Sequence, residues 1–109
     1  MPVMTLPQIE ELCRGALLRA GASPEQATIV AAEIADAEAE GIRNVGLGYM
    51  HLYLKHLKVG KVNPKAAPKV VKTSAASTVI DGDFGFCHHA YLIGESRLID
   101  TAREQGVGL

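Results

Sequence analysis

Tryptophan is absent from this 109-residue sequence, cysteine occurs only twice, and charge of neither sign dominates. The formal net charge of −1 provides no positive field for nucleic acid or for an anionic membrane, which excludes both as partners. No apolar run approaches the length of a membrane span. The two cysteines, Cys13 and Cys87, form no C-x-x-C pattern and predict free thiols in a reducing cytoplasm.

Paired histidines and paired glycines also fall short of known site patterns. His88 and His89 are adjacent and point in different directions on a helix, and no nearby carboxylate or Cys/His pair completes a ligand set, so we predict no metal site. Gly46-Leu47-Gly48 follows a helix and lacks a third glycine, so it is not a dinucleotide fingerprint. The sequence therefore identifies no cofactor-binding residue.

Start and stop signals for helices occupy the first sixty residues. Thr5 and Gln8 fit a capping box for a first helix, and Ser23 before Pro24 fits the N-cap of a second, with Gln26 at the box position. A glycine follows each apolar stripe and is suited to close the helix. The residues at helical spacing, which we expect to face the core, are Leu6, Ile9, Cys13, Ala16, Leu17 and Ala20, then Ala27, Val30, Ala31, Ile34 and Ala37, then Leu47, Met50, Leu54 and Leu57.

The third helix is predicted to run from near Asn44 or Val45 to Lys58. Gly46 and Gly48 lie within its first turns, where each costs about 1 kcal/mol relative to alanine. Two such residues indicate that a group passes close to the backbone there, or that the turn is irregular.

The character of the sequence changes at Val59, which predicts a helical region over residues 1–60 and a second region over 61–109. A proline-containing connector precedes two short β-strands, and a last helix follows with Leu92, Ile99 and Ala102 facing inward. We interpret the chain as α+β and truncated: about three helices, then the opening β-β-α-β of a larger α/β domain. The predicted elements of the second region are Lys69–Thr73, Ser77–Asp81, His88–Gln105 and the start of a strand at Val107–Leu109.

A set of residues at the joints between these elements carries a family resemblance: Ala35-Asp36, Gly41, Gly46, Tyr53, Leu57, Gly60, Asn63-Pro64, Pro68, Val70-Val71, Asp81-Gly82, Gly85-Phe86 and Ala102 to Val107. In this order they resemble the type 2 malate/L-lactate dehydrogenases, a family that includes ureidoglycolate dehydrogenases and diketogulonate reductases. The resemblance implies a non-Rossmann, homodimeric oxidoreductase that uses NAD or NADP on small 2-hydroxy or 2-oxo acids. It also implies that this chain is the N-terminal portion of a longer enzyme.

The family motif Gly-x-x-Ser-His-Gly-x-x-Arg-x-x-x-Tyr is only partly kept. Gly46 and Tyr53 match, but Asn44 replaces the serine, Val45 the histidine and Tyr49 the arginine. In the family the histidine is the proton donor to the substrate carbonyl, and the arginine is suited to hold a carboxylate. Valine cannot move a proton, and tyrosine offers one hydroxyl where arginine offers a bidentate fork.

The side chains left to do the chemistry are polar residues on the third helix. Positions 45, 49, 53 and 56 share one side of a helix, and tyrosine or histidine can donate a proton. We therefore predict Tyr49, Tyr53 and His51 as catalytic, and Asn44 and Tyr49 as substrate-binding. The alternatives are that both tyrosines are half-buried with their hydroxyls at the surface, that His51 is a polar surface residue, and that Asn44 is a helix cap.

A second function remains open, namely a non-catalytic helical interaction or dimerisation domain derived from the same family. Exposure of apolar residues distinguishes a fragment from a self-sufficient domain. A fragment should expose apolar surface and associate, and Val107 and Leu109 should pair with other chain segments, whereas a self-sufficient domain should bury them.

Overall fold

The computed structural model describes residues 2–109 and forms two compact units. The helical unit extends to Lys65, and the hairpin unit covers Ala66–Leu109. The helical unit contains α1 (Leu6–Arg19), α2 (Pro24–Ala39) and α3 (Met50–Lys58), with a 3₁₀ turn at Leu47–Tyr49 leading directly into α3.

Capping interactions set the ends of the first two helices as predicted. At α1, the Thr5 hydroxyl accepts from the Gln8 amide at 3.3 Å and the Gln8 side chain accepts from the Thr5 amide at 2.9 Å, so the capping box is complete. At α2, the Ser23 hydroxyl accepts from the Gln26 amide at 3.2 Å. Gly21 follows α1 with a φ of 102°, a left-handed conformation that costs glycine little.

The core of the helical unit forms where α2 packs against α1 and where α3 packs against α1. Small residues of α2 are fully buried and allow this close packing, as their size predicts. Leu6 and Leu47 are exposed, contrary to expectation, because each is the first residue of its element and lies at the edge of the packed stretch. The buried apolar residues of the helices are Ile9, Cys13, Leu17, Ala27, Val30, Ala31, Ile34, Ala35, Met50 and Leu57.

Residues 61–65 belong with the helices because α2 binds them. The buried Gln26 side chain donates through Nε2 to the carbonyl oxygens of Asn63 and Pro64, at 3.1 and 2.9 Å. The Ser23 amide donates to the same Pro64 carbonyl at 2.8 Å, and Val62 is buried. The division between the units therefore follows Lys65, whereas the change in sequence character falls near Gly60.

The hairpin unit consists of antiparallel strands β1 (Lys69–Thr73) and β2 (Thr78–Asp81), followed by α4 (Cys87–Gln105), which packs on both. The register is irregular between Val70 and Lys72. The backbone of Leu109 donates to the Ala76 carbonyl at 2.9 Å and accepts from the Thr78 amide at 2.8 Å. These two bonds flank one residue of the hairpin, which is the pattern of a parallel bridge. Residues 107–109 nevertheless form no strand of the two-stranded sheet, so the predicted start of a strand there is not observed.

The face of α4 that packs on the hairpin differs from the predicted one. Leu92 and Ile99 are 39% and 45% exposed, and Ala102 is also exposed. The glycine at position 94 is buried instead, against the end of the Ile80 side chain, and a Cβ at this position would overlap that side chain. A small residue allows the helix to approach the sheet closely, and this packing turns the larger apolar face outward.

Candidate functional site

The motif segment begins as a tight turn and becomes an α-helix only at Met50. The Arg43 carbonyl accepts from the amides of Gly46 and Gly48, both at 3.2 Å, and the Tyr49 amide donates to the Gly46 carbonyl at 3.1 Å. The prediction that α3 starts near residue 44 is therefore wrong. The chain first wraps around one carbonyl, and Gly46 has a non-helical ψ of −132°.

Other groups approach both glycines of this turn closely, which agrees with the expectation from two glycines at this place in the sequence. A Cβ on the buried Gly46 would overlap the carboxylate of Glu38, and a Cβ on Gly48 would lie 2.7 Å from the Arg43 carbonyl oxygen. Glu38 in turn accepts a hydrogen bond from the Leu47 amide through Oε1 at 2.7 Å. The glycines thus serve local packing.

The rings of Tyr49 and Tyr53 pack edge to face one helical turn apart. Their centroids are 4.8 Å apart and their planes are inclined by 62°, and both side chains are half-buried. His56 is also half-buried and shares this side of the helix by register. The structure therefore brings together two of the three predicted catalytic side chains on a partly open face.

His51 lies on a different side of α3 from the tyrosine pair, and Asn44 and Val45 lie in the turn that precedes the helix. His51 is exposed and lies about 200° around the helix from each tyrosine. Asn44 is exposed in the turn, and neither the 3₁₀ turn nor α3 has a side-chain cap, so the interpretation of Asn44 as a helix cap is wrong. Val45 lies in the turn instead of on the helix and is 47% exposed.

The charge of Glu38 also acts on the Cys13 thiol of α1. Burial raises the pKa of the Cys13 thiol, and the negative charge of Glu38 raises it further. Both cysteines are free, with Cys13 buried and Cys87 exposed. Within residues 2–109, no group of three or more His, Cys, Asp or Glu side chains could hold a metal ion.

Sequence reasoning did not identify Glu38, although it binds the turn that carries the motif. The glycine pair signalled a close approach to the backbone, but it did not indicate which side chain approaches. Glu38 is separated from Leu47 by nine positions in the sequence, so no local spacing rule connects them.

In the same described range, residues 2–109, no helix is both long and apolar enough to span a bilayer.

Comparison with known proteins gives a consistent family assignment. A family model described as malate/L-lactate dehydrogenase matches residues 4–109. The chain is 36% identical to the L-sulfolactate dehydrogenase of Methanocaldococcus jannaschii over 96 residues, covering 85% of this chain and 27% of that protein. It is 35% identical over 106 residues to a Delta(1)-pyrroline-2-carboxylate/Delta(1)-piperideine-2-carboxylate reductase of Pseudomonas syringae pv. tomato, covering 97% of this chain and 31% of the relative.

A solved structure has the same fold. The crystal structure of the delta1-piperideine-2-carboxylate reductase of Pseudomonas syringae pv. tomato superposes with a TM-score of 0.87 at 34% identity. The match covers 95% of this chain and 31% of that structure. The chain therefore spans about 30% of the length of the relatives that it matches.

Proposed function

Because this chain belongs to the malate/L-lactate dehydrogenase family, we propose that it is the N-terminal part of an NAD(P)-dependent oxidoreductase acting on small 2-hydroxy and 2-oxo acids. The name of one relative, a sulfolactate dehydrogenase, describes a 2-hydroxy acid and supports this substrate class. The other, a pyrroline-2-carboxylate reductase, is named for a related cyclic imine that is also a small carboxylate. The nicotinamide cofactor, NAD or NADP, supplies or accepts the hydride when it is bound.

The tyrosine pair is the observation that carries the proposal. Tyr49 and Tyr53 stand at the motif positions of the family's arginine and tyrosine, and their rings pack together on a half-open face. A tyrosine hydroxyl can give a proton to the carbonyl oxygen as hydride reaches the carbon, which Val45 cannot do. The hydroxyl of Tyr49, with the amide of Asn44, is also suited to hold the substrate carboxylate. His51 is a third candidate proton donor, on the opposite side of the helix.

Assembly is part of the proposal. Hydride transfer would require protein outside this chain, supplied by a longer polypeptide or by a companion, and the enzyme would be a cytoplasmic homodimer as the family resemblance implies. The exposed apolar side chains of the hairpin unit support association, because Leu92, Ile99 and Val107 would be buried by it.

Removal of one hydroxyl tests the role of Tyr49. The assay uses the native protein with any further polypeptide that accompanies this chain. There, Tyr49→Phe keeps the contact between the two rings and should lower kcat/KM for NAD(P)H-dependent reduction of pyruvate by about a hundredfold. The matched control is Tyr91→Phe, which removes the hydroxyl of an exposed tyrosine in the hairpin unit and should leave the rate unchanged. Equal activity of Tyr49→Phe and the wild type would refute the catalytic role of Tyr49.

A non-catalytic interaction domain is the alternative, and the valine at the motif histidine position favours it. Intact mass, size-exclusion light scattering and NAD(P)H fluorescence of the native protein separate the two functions. A longer or companion polypeptide that binds either cofactor supports the oxidoreductase. A single 109-residue species that associates with itself and ignores both cofactors supports the interaction domain.

A further inference from the structure

We propose that Glu38 is a positioning residue for the tyrosine pair, because its carboxylate holds the turn from which Tyr49 projects. The catalytic part of this inference rests on the proposed function, which makes the tyrosine pair a substrate-binding group. Its structural part can be tested without any ligand. Glu38 lies near the C-terminal end of α2 and reaches the Leu47 amide across nine residues of chain.

The contact between Glu38 and the turn is close. The distance from Glu38 Oε1 to the Leu47 nitrogen is 2.7 Å, the short range expected of a hydrogen bond to a charged acceptor. Gly46 is buried beside the same carboxylate, and any Cβ at that position would overlap it. The glycine therefore creates the space into which the carboxylate fits.

Helix electrostatics explain why an acid is placed here. A carboxylate near the C-terminal end of α2 is unfavourable for that helix, whereas at the start of the 3₁₀ turn it accepts a hydrogen bond from the Leu47 amide and is favourable. Gly46 occupies the N-cap position of that turn and has no side chain that could cap it. Glu38 thus supplies from α2 the cap that the motif segment lacks.

The position of Tyr49 depends on this turn. Tyr49 is the last residue of the 3₁₀ turn, and its amide donates to the Gly46 carbonyl at 3.1 Å. A displacement of Leu47 would therefore move Tyr49 relative to Tyr53, which belongs to α3, and would disturb their edge-to-face contact.

Amide hydrogen exchange in the 109-residue chain directly measures the hydrogen bond from the Leu47 amide to Glu38. Glu38→Ala should accelerate hydrogen exchange at the Leu47 amide by about tenfold or more and shift the Tyr49 ring resonances. Glu38→Gln, which keeps an acceptor oxygen of the same reach, should restore most of the protection. Glu40→Ala, at the exposed C-cap residue that follows α2, is the matched control and should change neither signal. Unchanged exchange in Glu38→Ala would overturn the inference.

A double-mutant cycle gives a second test that does not depend on assigning one amide. Gly46→Ala should lower the urea midpoint of unfolding in the wild type, because the new methyl group meets the Glu38 carboxylate. In the Glu38→Ala background that neighbour is gone, so the same substitution should lower the midpoint less. Equal shifts in both backgrounds would contradict the proposed contact.

Turnover of pyruvate by the native protein separates positioning from mere stability. Glu38→Ala should reduce kcat/KM by about tenfold or more, and Glu38→Gln should recover it at unchanged thermal stability. If exchange and the cycle behave as expected but the wild type reduces neither pyruvate nor other small 2-oxo acids with NADH or NADPH, the proposed function fails and the contact of Glu38 with the turn stands. If the wild type reduces pyruvate and Glu38→Ala does so equally well, the positioning role is overturned.

Discussion

The helical unit and the hairpin unit differ in how much apolar surface they bury. Of the buried apolar side chains in residues 2–109, twelve belong to the helical unit and two, Ala66 and Phe86, to the hairpin unit. The helical unit therefore has a core of its own, since burial of apolar area is the main favourable term in folding. The hairpin unit, with two strands and one helix, buries only these two apolar side chains and therefore gains less from apolar burial.

The apolar residues of the hairpin unit are largely on its surface. Val107 is 54% exposed and Leu109 is 76% exposed, although the backbone of Leu109 pairs with the sheet. This combination agrees with the proposal that further protein completes the second unit, because the chain spans about 30% of the length of its relatives. The motif face therefore belongs to the unit that holds most of the buried apolar side chains. The other exposed apolar residues of the hairpin unit include Val70, Val71, Val79, Phe84, Tyr91, Leu92, Ile93 and Ile99.

The largest expected effect is loss of a core side chain from the helical unit. Leu17 is fully buried on α1, so Leu17→Ala should lower the free energy of unfolding by about 2–5 kcal/mol. Leu92→Ala makes the same chemical change on the exposed face of α4 and should cost less than about 1 kcal/mol. Urea denaturation followed by circular dichroism measures both, and equal costs would abolish the contrast between the units.

A smaller effect is expected where α2 holds the end of the helical unit. Gln26→Ala removes two hydrogen bonds to backbone carbonyls of residues 63 and 64 and should cost about 1–3 kcal/mol. Hydrogen exchange should also increase at the amide of Ser23, whose acceptor is the Pro64 carbonyl. Gln105→Ala, at the exposed end of α4, is the control. If Gln26→Ala leaves the Ser23 amide protected, residues 61–65 are held by other contacts.

Features fixed by neighbouring residues could be predicted from the sequence. The capping box at Thr5, the N-cap at Ser23 and the bounds of β1 depend on residues a few positions apart, and the structure confirms them. The family resemblance was equally accessible, because it depends on the order of residues at the joints, and the match over residues 4–109 confirms it.

Features that depend on distant residues could not be predicted. The exposed face of α4 follows from the fit of Gly94 against Ile80, which a periodicity argument cannot detect because it ranks residues by hydrophobicity. The late start of α3 follows from the turn around the Arg43 carbonyl, and the hold on that turn comes from Glu38 on another helix. The roles of Tyr49, Tyr53, His51 and Asn44 in the site remain predictions.

The smallest expected effect is a pH dependence confined to the helical unit. Burial, and then the charge of Glu38, raise the pKa of the Cys13 thiol, so the folded chain holds this proton more tightly than the unfolded chain. The associated stability is fully present below the ordinary thiol pKa, about 8.5, and is lost as pH rises from there through the raised value. Urea unfolding at about pH 7 and about pH 10 should show a smaller decline for Cys13→Ala than for the wild type, whereas Cys87→Ala, at an exposed cysteine of the hairpin unit, should keep the wild-type decline. An identical decline in both variants would show that the alkaline loss of stability does not originate in the core of the helical unit.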